Sequence, residues 1–377
     1  MEINSKFDGG NIKYLEKTDS SNISLQIVPD AGGEFFQWFY FRISNFDKTR
    51  LRMNIVNAGE ASYPKGWQGY QAVTSSDRLI WSRVKTTYEG GILTIDHKPD
   101  SEIQYYAYFA PYSLERHNDL IAKTLTDKKS SLIPSGLSSE GRQIDVIRIS
   151  NTSVNTKTRK CWIIARQHPG ETMAEWLMEG VINKLLAKDS VISKMLETTE
   201  FYLVPNMNPD GSFLGYLRTN AKGINLNREW DNPCINQSPE VFYVRKMMID
   251  IGCDFFLDIH GDEAIPYNFI AGPDGIPSLS DKQIRLVRFF ENSLCNLSPD
   301  FQNKFGYPVN QPGKANLKIA GNWVAENFSC PGITLEQPFK DNALNPDSEF
   351  GWSPEKAFTL GQMCVSGIAM TFEEMQN

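Results

Sequence analysis

The hydrophobic pattern of this chain changes period near Pro111, and that change constrains the fold more than any other feature. Before it, short runs put alternate residues on opposite faces. Phe39, Phe41 and Ile43 oppose Trp38, Tyr40 and Arg42, and Leu51, Met53 and Ile55 oppose Arg52 and Asn54. Residues 79–84, 92–95 and 103–109 read the same way, with turn formers such as Glu89-Gly90-Gly91 and Lys98-Pro99-Asp100 between them. Period-two runs separated by turns predict an antiparallel β-sandwich over residues 1–112. Beyond it, Ser113 is placed to cap a helix reaching about residue 123. Strand-like runs at 144–149, 162–165, 201–204 and 255–259 then alternate with helical spacing over 172–187 and 283–294. Strands alternating with helices predict a second, α/β domain over 113–377, its sheet covered on both faces.

Composition excludes several classes. With 38 Lys and Arg against 45 Asp and Glu, the chain carries a net charge of −7 and lacks the basic excess of a general nucleic-acid binder. Its six cysteines form no C-x-x-C pair, which fits neither a zinc knuckle nor a disulfide framework, so core thiols in a reducing compartment are expected. The first residues have no apolar core of a secretory signal, and no stretch nears the roughly 20 apolar residues of a membrane span. The expectation is a cytoplasmic protein with neither membrane nor nucleic acid as partner.

The chain has four histidines, and two stand at strand ends of the α/β half. His168 lies in Arg166-Gln167-His168-Pro169-Gly170-Glu171, where a strand hands over to a helix. His260 follows the strand ending Leu257-Asp258-Ile259. Strand carboxyl ends are where open α/β sheets bind ligands. An imidazole and a carboxylate three residues apart can share one ion, and two His plus one Glu is a zinc set that leaves a position for water. Further along come Asn208-Pro209-Asp210-Gly211, Arg218-Thr219-Asn220, Gly223-Ile224-Asn225-Leu226-Asn227-Arg228 and Ile333-Thr334-Leu335-Glu336. Guanidinium forks beyond a strand end suit recognition of a carboxylate.

In this order, His168-x-x-Glu171, Arg218, Asn227-Arg228, His260 and Glu336 resemble the zinc carboxypeptidases. The Pro-Gly inside the His-x-x-Glu motif, Asn208-Pro209-Asp210-Gly211 and the segment Gln37-Trp38-Phe39-Tyr40-Phe41-Arg42-Ile43-Ser44-Asn45 are similar to the cytosolic carboxypeptidase branch, here of bacterial type. The resemblance implies a mixed sheet flanked by helices and one Zn²⁺ per chain, held by His168, Glu171 and His260. Glu336 would be the general base toward the attacking water. Arg218 would polarise the scissile carbonyl, Asn227 and Arg228 would hold the substrate's terminal carboxylate, and Tyr307 would cover the bound substrate.

The substrates implied are peptide or protein C-terminal tails, with Glu or Asp as the preferred last residue. Lys314 and Lys318 are the basic candidates for that pocket, and Asp258 or Asp262 could orient His260. A zinc amidohydrolase of the aspartoacylase or succinylglutamate desuccinylase type, acting on acyl amino acids, is the alternative reading, because it shares His-x-x-Glu and a later His.

Overall fold

The protein is described from a computed structural model that covers residues 1–17, 22–46, 49–151 and 158–375. Its first part contains β1 (Glu2–Asn4), β2 (Lys13–Lys17), β3 (Asn22–Gln26), β4 (Tyr40–Ser44), β5 (Leu51–Ile55), β6 (Val73–Ser75), β7 (Ser82–Arg83), β8 (Thr86–Glu89), β9 (Ile92–His97) and β10 (Ile103–Ala107). These form two five-stranded sheets, in the orders β1-β4-β10-β6-β7 and β2-β3-β5-β9-β8. Pairing is antiparallel except between β3 and β5, which run parallel because the chain between them crosses to the other sheet to form β4. Leu51, Met53 and Ile55 face the core as their alternation requires, while Arg52 stays exposed. Residues 79–84 depart from the expected strand: only Ser82 and Arg83 pair. The Asp77 carboxylate instead accepts the Leu79 and Ile80 amides at 2.8 and 3.0 Å, making a turn that leaves both apolar side chains in solvent.

Ser113 caps α1 (Leu114–Thr124), accepting the Arg116 amide at 3.1 Å. The following sheet contains β11 (Ser130–Ile133), β12 (Val146–Ile149), β13 (Arg159–Ala165), β14 (Thr199–Val204), β15 (Phe255–Ile259), β16 (Phe269–Ala271) and β17 (Gly332–Glu336). Its order is β11-β12-β14-β13-β15-β17-β16, with four parallel central strands between antiparallel edges. The connecting helices are α2 (Met173–Leu186), α3 (Ser190–Leu196), α4 (Pro209–Leu214), α5 (Pro239–Ile251), α6 (Asp281–Leu297), α7 (Ala320–Phe328) and α8 (Pro354–Glu374).

Alternation along β13 shows why helices cover both faces. Cys161, Ile163 and Ala165 pack in the core shared with α2, α6 and α8, whereas Trp162 and Ile164 pack with Val244 of α5 and Trp323 of α7. Helices α2 and α8 touch backbone to backbone: a Cβ on Gly180 would lie 1.9 Å from the Phe358 carbonyl oxygen, and one on Gly361 2.1 Å from that of Leu177. Four cysteines are buried as expected, but Cys234 is exposed and Cys295 half-buried. Among the described residues no helix is long and apolar enough to cross a membrane.

The chain passes from β13 to β14 on one side, then returns to place β15 on the other. That reversal opens a crevice at the carboxyl ends of β13 and β15. His168 and His260 sit there, and Glu336 ends β17 next door.

Candidate metal centre and catalytic cleft

β13 ends at Ala165 and the chain turns at once. Arg166 takes a left-handed conformation, φ 60°, which a non-glycine residue holds only where its surroundings fix it. Its guanidinium donates to the Tyr112 and Pro169 carbonyls at 2.9 and 3.0 Å and pairs with buried Glu175 at 2.6 Å. This staple carries His168 and Glu171 into the crevice.

His168 Nδ1 lies 2.7 Å from Glu171 Oε1, and His260 Nδ1 lies 2.8 Å from Glu171 Oε2 and 3.2 Å from His168 Nδ1. Among the described residues these three form the one cluster with metal-holding spacing: their donor atoms all fall within 4.8 Å, and all three side chains are buried. The outer ring nitrogens decide whether the set fits a metal. His168 Nε2 lies 3.1 Å from Asn225 Oδ1, and His260 Nε2 lies 2.9 Å from Asp258 Oδ2. Each acceptor keeps the proton on Nε2 and leaves the Nδ1 lone pair facing inward, which is the tautomer a metal needs. Asp258 is itself held by the Gln167 amide at 2.7 Å, and Gln167 by the Trp230 indole at 2.8 Å. Two neutral imidazoles and a carboxylate, oriented in this way, fit Zn²⁺.

The electrostatics favour positive charge at this point of the cleft. Burial, helped by Arg218, lowers the His168 pKa to about 4, so its imidazole is neutral. Burial pushes Glu171 up, but the adjoining His168 and His260 overcome it and hold the carboxyl well below its usual range. Burial alone would lower His260; Asp258 and Glu171 raise it instead, marking a site that attracts positive charge.

Glu336 is buried at the end of β17, and its Oε2 has no hydrogen-bond partner among the described residues. Burial lifts its pKa to about 8, with His260 pulling down and Glu171 and Asp262 pushing up. A cation beside it would bring that value down.

A cleft of about 590 Å³ is lined by His168, Glu171 and His260 together with Arg218, Arg228 and Glu336. The Arg218 guanidinium lies 5.7 and 5.4 Å from the rings of Phe35 and Tyr63 of the first domain. Tyr307 also faces the cleft; its hydroxyl donates to Asp262 Oδ2 at 2.7 Å, and its ring meets Phe269 edge-on at 4.9 Å. Asn227 reaches the cleft wall, but both ends of its amide are engaged: Oδ1 accepts the Ala320 amide at 2.8 Å and so ties the loop to α7, and Nδ2 lies 3.2 Å from His260 Nε2.

Two expectations shift. Lys314 and Lys318 are exposed and do not line the cleft; besides Arg218 and Arg228, its basic groups are Arg288 of α6 and Lys304. Of the two aspartates flanking His260, Asp258 alone touches the imidazole, while Asp262 accepts the Ala264 amide at 2.7 Å and the Tyr307 hydroxyl. Sequence reasoning passed over Asn225, Gln167 and the buried, cleft-lining Glu263. Asn225 had a local signal, for it precedes Asn227 by two in the Gly-Ile-Asn-Leu-Asn-Arg run and caps a short turn there.

Comparison with known proteins adds an independent line. Residues 3–109 match the family described as the cytosolic carboxypeptidase N-terminal domain, and residues 120–269 match the zinc carboxypeptidase family. A metallo-carboxypeptidase from Pseudomonas aeruginosa, solved in complex with (2-guanidinoethylmercapto)succinic acid, is 42% identical, with a TM-score of 0.97 and 100% of both chains covered. A metallo-carboxypeptidase from Burkholderia cenocepacia is also 42% identical, with a TM-score of 0.96 over 99% of both chains. Cytosolic carboxypeptidase 6 of Caenorhabditis elegans is 25% identical over 380 residues, covering 90% of this chain and 79% of the relative. With both domain matches in order and full-length neighbours at this identity, the chain belongs to the zinc carboxypeptidase family, in its cytosolic carboxypeptidase-like branch, and is a metallocarboxypeptidase.

Proposed function

We propose that this cleft removes single residues from the C-termini of peptides or protein tails in the cytoplasm, with Glu or Asp favoured as the residue released. One observation carries the reading: His168, Glu171, His260, Arg218, Arg228 and Glu336 line the same cleft. When bound by His168, Glu171 and His260, Zn²⁺ supplies Lewis acidity at neutral pH. Glu336 takes a proton from the attacking water at its unpartnered Oε2 and returns it to the leaving amine. Arg218 donates to the carbonyl oxygen as negative charge gathers there, a role worth roughly 10²–10³ in turnover. Arg228, one of whose nitrogens already donates to the Asn227 carbonyl at 2.6 Å, presents the rest of its fork to the terminal carboxylate. Asn227 fixes the loop that aims it, and Tyr307 covers the substrate.

The acidic preference is supported by Lys304 and Arg288 on the cleft wall, although Arg288 is already paired with Glu291 at 3.0 Å.

The test is amino-acid release from peptides that differ only in their last residue, each as free acid and as amide, with and without a chelator. Chelator-sensitive release of single residues from the free acids, at least about a hundredfold slower on amides, is expected from the loss of a charged hydrogen-bond pair. Equal rates on both would refute exopeptidase action. Hydrolysis of acetyl-aspartate with no peptide cleavage would favour the acyl amino acid hydrolase.

A further inference from the structure

The loop that carries Arg218 is held from the first domain by one buried carboxylate. Asp30 Oδ1 accepts the Leu217 amide at 2.7 Å, and Oδ2 accepts the Arg218 and Thr219 amides at 2.8 and 2.9 Å and the Thr219 hydroxyl at 3.2 Å. Asp30 is fixed in turn: its amide donates to the Phe35 carbonyl at 2.8 Å, and its carbonyl accepts the Gly33 amide at 3.0 Å, closing a tight turn. The two chains lie too close for a side chain between them, since a Cβ on Gly223 would stand 2.7 Å from the Ala31 carbonyl oxygen. On its other side the same loop meets the metal turn, where the Gly170 amide donates to the Leu217 carbonyl at 3.0 Å. Phe35 and Tyr63, from the same domain, then present their rings to the Arg218 guanidinium.

Three successive peptide N–H groups converge on one carboxylate only in a narrow range of backbone conformation. Whatever holds them fixes the direction in which the Arg218 side chain leaves the chain. A donor aimed at developing charge loses about 10²-fold when displaced by about 1 Å. We propose that Asp30 is a positioning residue for Arg218, so that the N-terminal sandwich is a working part of the catalytic cleft. The inference rests on the reading of Arg218 as the carbonyl donor.

The experiment is a double-mutant cycle on the zinc-loaded full chain, with Asp30→Asn, Arg218→Ala and both together. The readouts are kcat and KM on a free-acid peptide, zinc content and circular dichroism. The asparagine brings an N–H₂ against the amides that Asp30 accepts. Asp30→Asn is expected to lower kcat about 10- to 100-fold with KM changed less than about threefold and zinc retained. Once Arg218 is alanine, the second change should cost less than about twofold. An Asp30→Asn kcat within twofold of wild type overturns the proposal, as does a full, multiplicative loss in the Arg218→Ala background. If Asp30→Asn does not fold, Thr219→Val, which deletes only the hydroxyl contact, takes its place in the cycle with the same coupling expected and the same additive result decisive against it. A wild-type kcat in Arg218→Ala itself would instead refute the role given to Arg218, so the two failures are told apart.

Discussion

Replacing Asp258 by alanine should weaken zinc binding by a factor the structure allows to be bounded. Its carboxylate is fully buried and receives two donors, His260 Nε2 at 2.9 Å and Gln167 Nε2 at 2.7 Å. Alanine removes Oδ2, the one oxygen that accepts both. His260 then loses the partner that keeps its proton on Nε2, and its Nδ1 becomes a poorer and less well-aimed ligand. Outer partners of this kind contribute about 10- to 100-fold in metal affinity, or about 1.4–2.7 kcal/mol. The two stranded donors cost stability separately, about 1–3 kcal/mol each if nothing replaces the carboxylate. Asp258→Asn keeps one acceptor oxygen and should lie between wild type and alanine. The assay is competition for zinc against a chromophoric chelator, with circular dichroism to verify the fold. An Asp258→Ala protein that is folded and binds zinc within twofold of wild type would refute the reasoning, because His260 would then be oriented without its carboxylate.

Other consequences can be checked as directly. Arg228→Lys replaces a fork by a point charge, so kcat/KM on free-acid peptides should fall about 10- to 100-fold while the slow rate on amides is unchanged; an equal loss on both would remove Arg228 from carboxylate recognition. Gly361→Ala forces a methyl to within 2.1 Å of the Leu177 carbonyl oxygen, and should cost at least about 1–3 kcal/mol in urea unfolding; an unchanged midpoint would mean that α2 and α8 can separate freely. His117 gives a pH signature. Burial lowers it, but Glu175 and Asp145, at 2.6 and 3.0 Å, raise its pKa to about 9. A histidine raised on folding contributes stability that is complete below its unfolded pKa of about 6.5 and is lost as pH rises through about 9. The urea midpoint should therefore decline between those values, and His117→Gln should flatten the decline; a midpoint that rises over that window contradicts the assignment.

Much of this architecture was legible because its signals are local. Period-two alternation marks β5, β9 and β10, and the two candidate-ligand histidines stand out because His260 follows an apolar strand directly and His168 comes three residues after one. The residues 79–84 misled because apolar content outweighed the Asp77 turn that the backbone adopts. Helix α8 went unread for a different reason. Gly361 and Gly367 weaken any local case for a helix, and both stand where neighbours press close: the α2 backbone at Gly361, the Phe290 ring at Gly367. Lys314 and Lys318 fall outside the cleft, and Arg288 lines it instead through the packing of α6, which no motif near Glu336 records. Asp30 sits in Pro29-Asp30-Ala31-Gly32-Gly33, which reads as an ordinary turn; its partners lie 187 to 189 residues away.

The central claim is that Glu336 is the base of a cleft whose metal is held by other residues. The most direct test is Glu336→Gln, assayed for zinc content and for release of the last residue from a free-acid peptide. The substitution keeps size and hydrogen bonding but cannot take the water's proton. Full zinc occupancy with turnover reduced by about 10²–10⁴ is the expected result. Full occupancy with turnover near wild type would contradict the account.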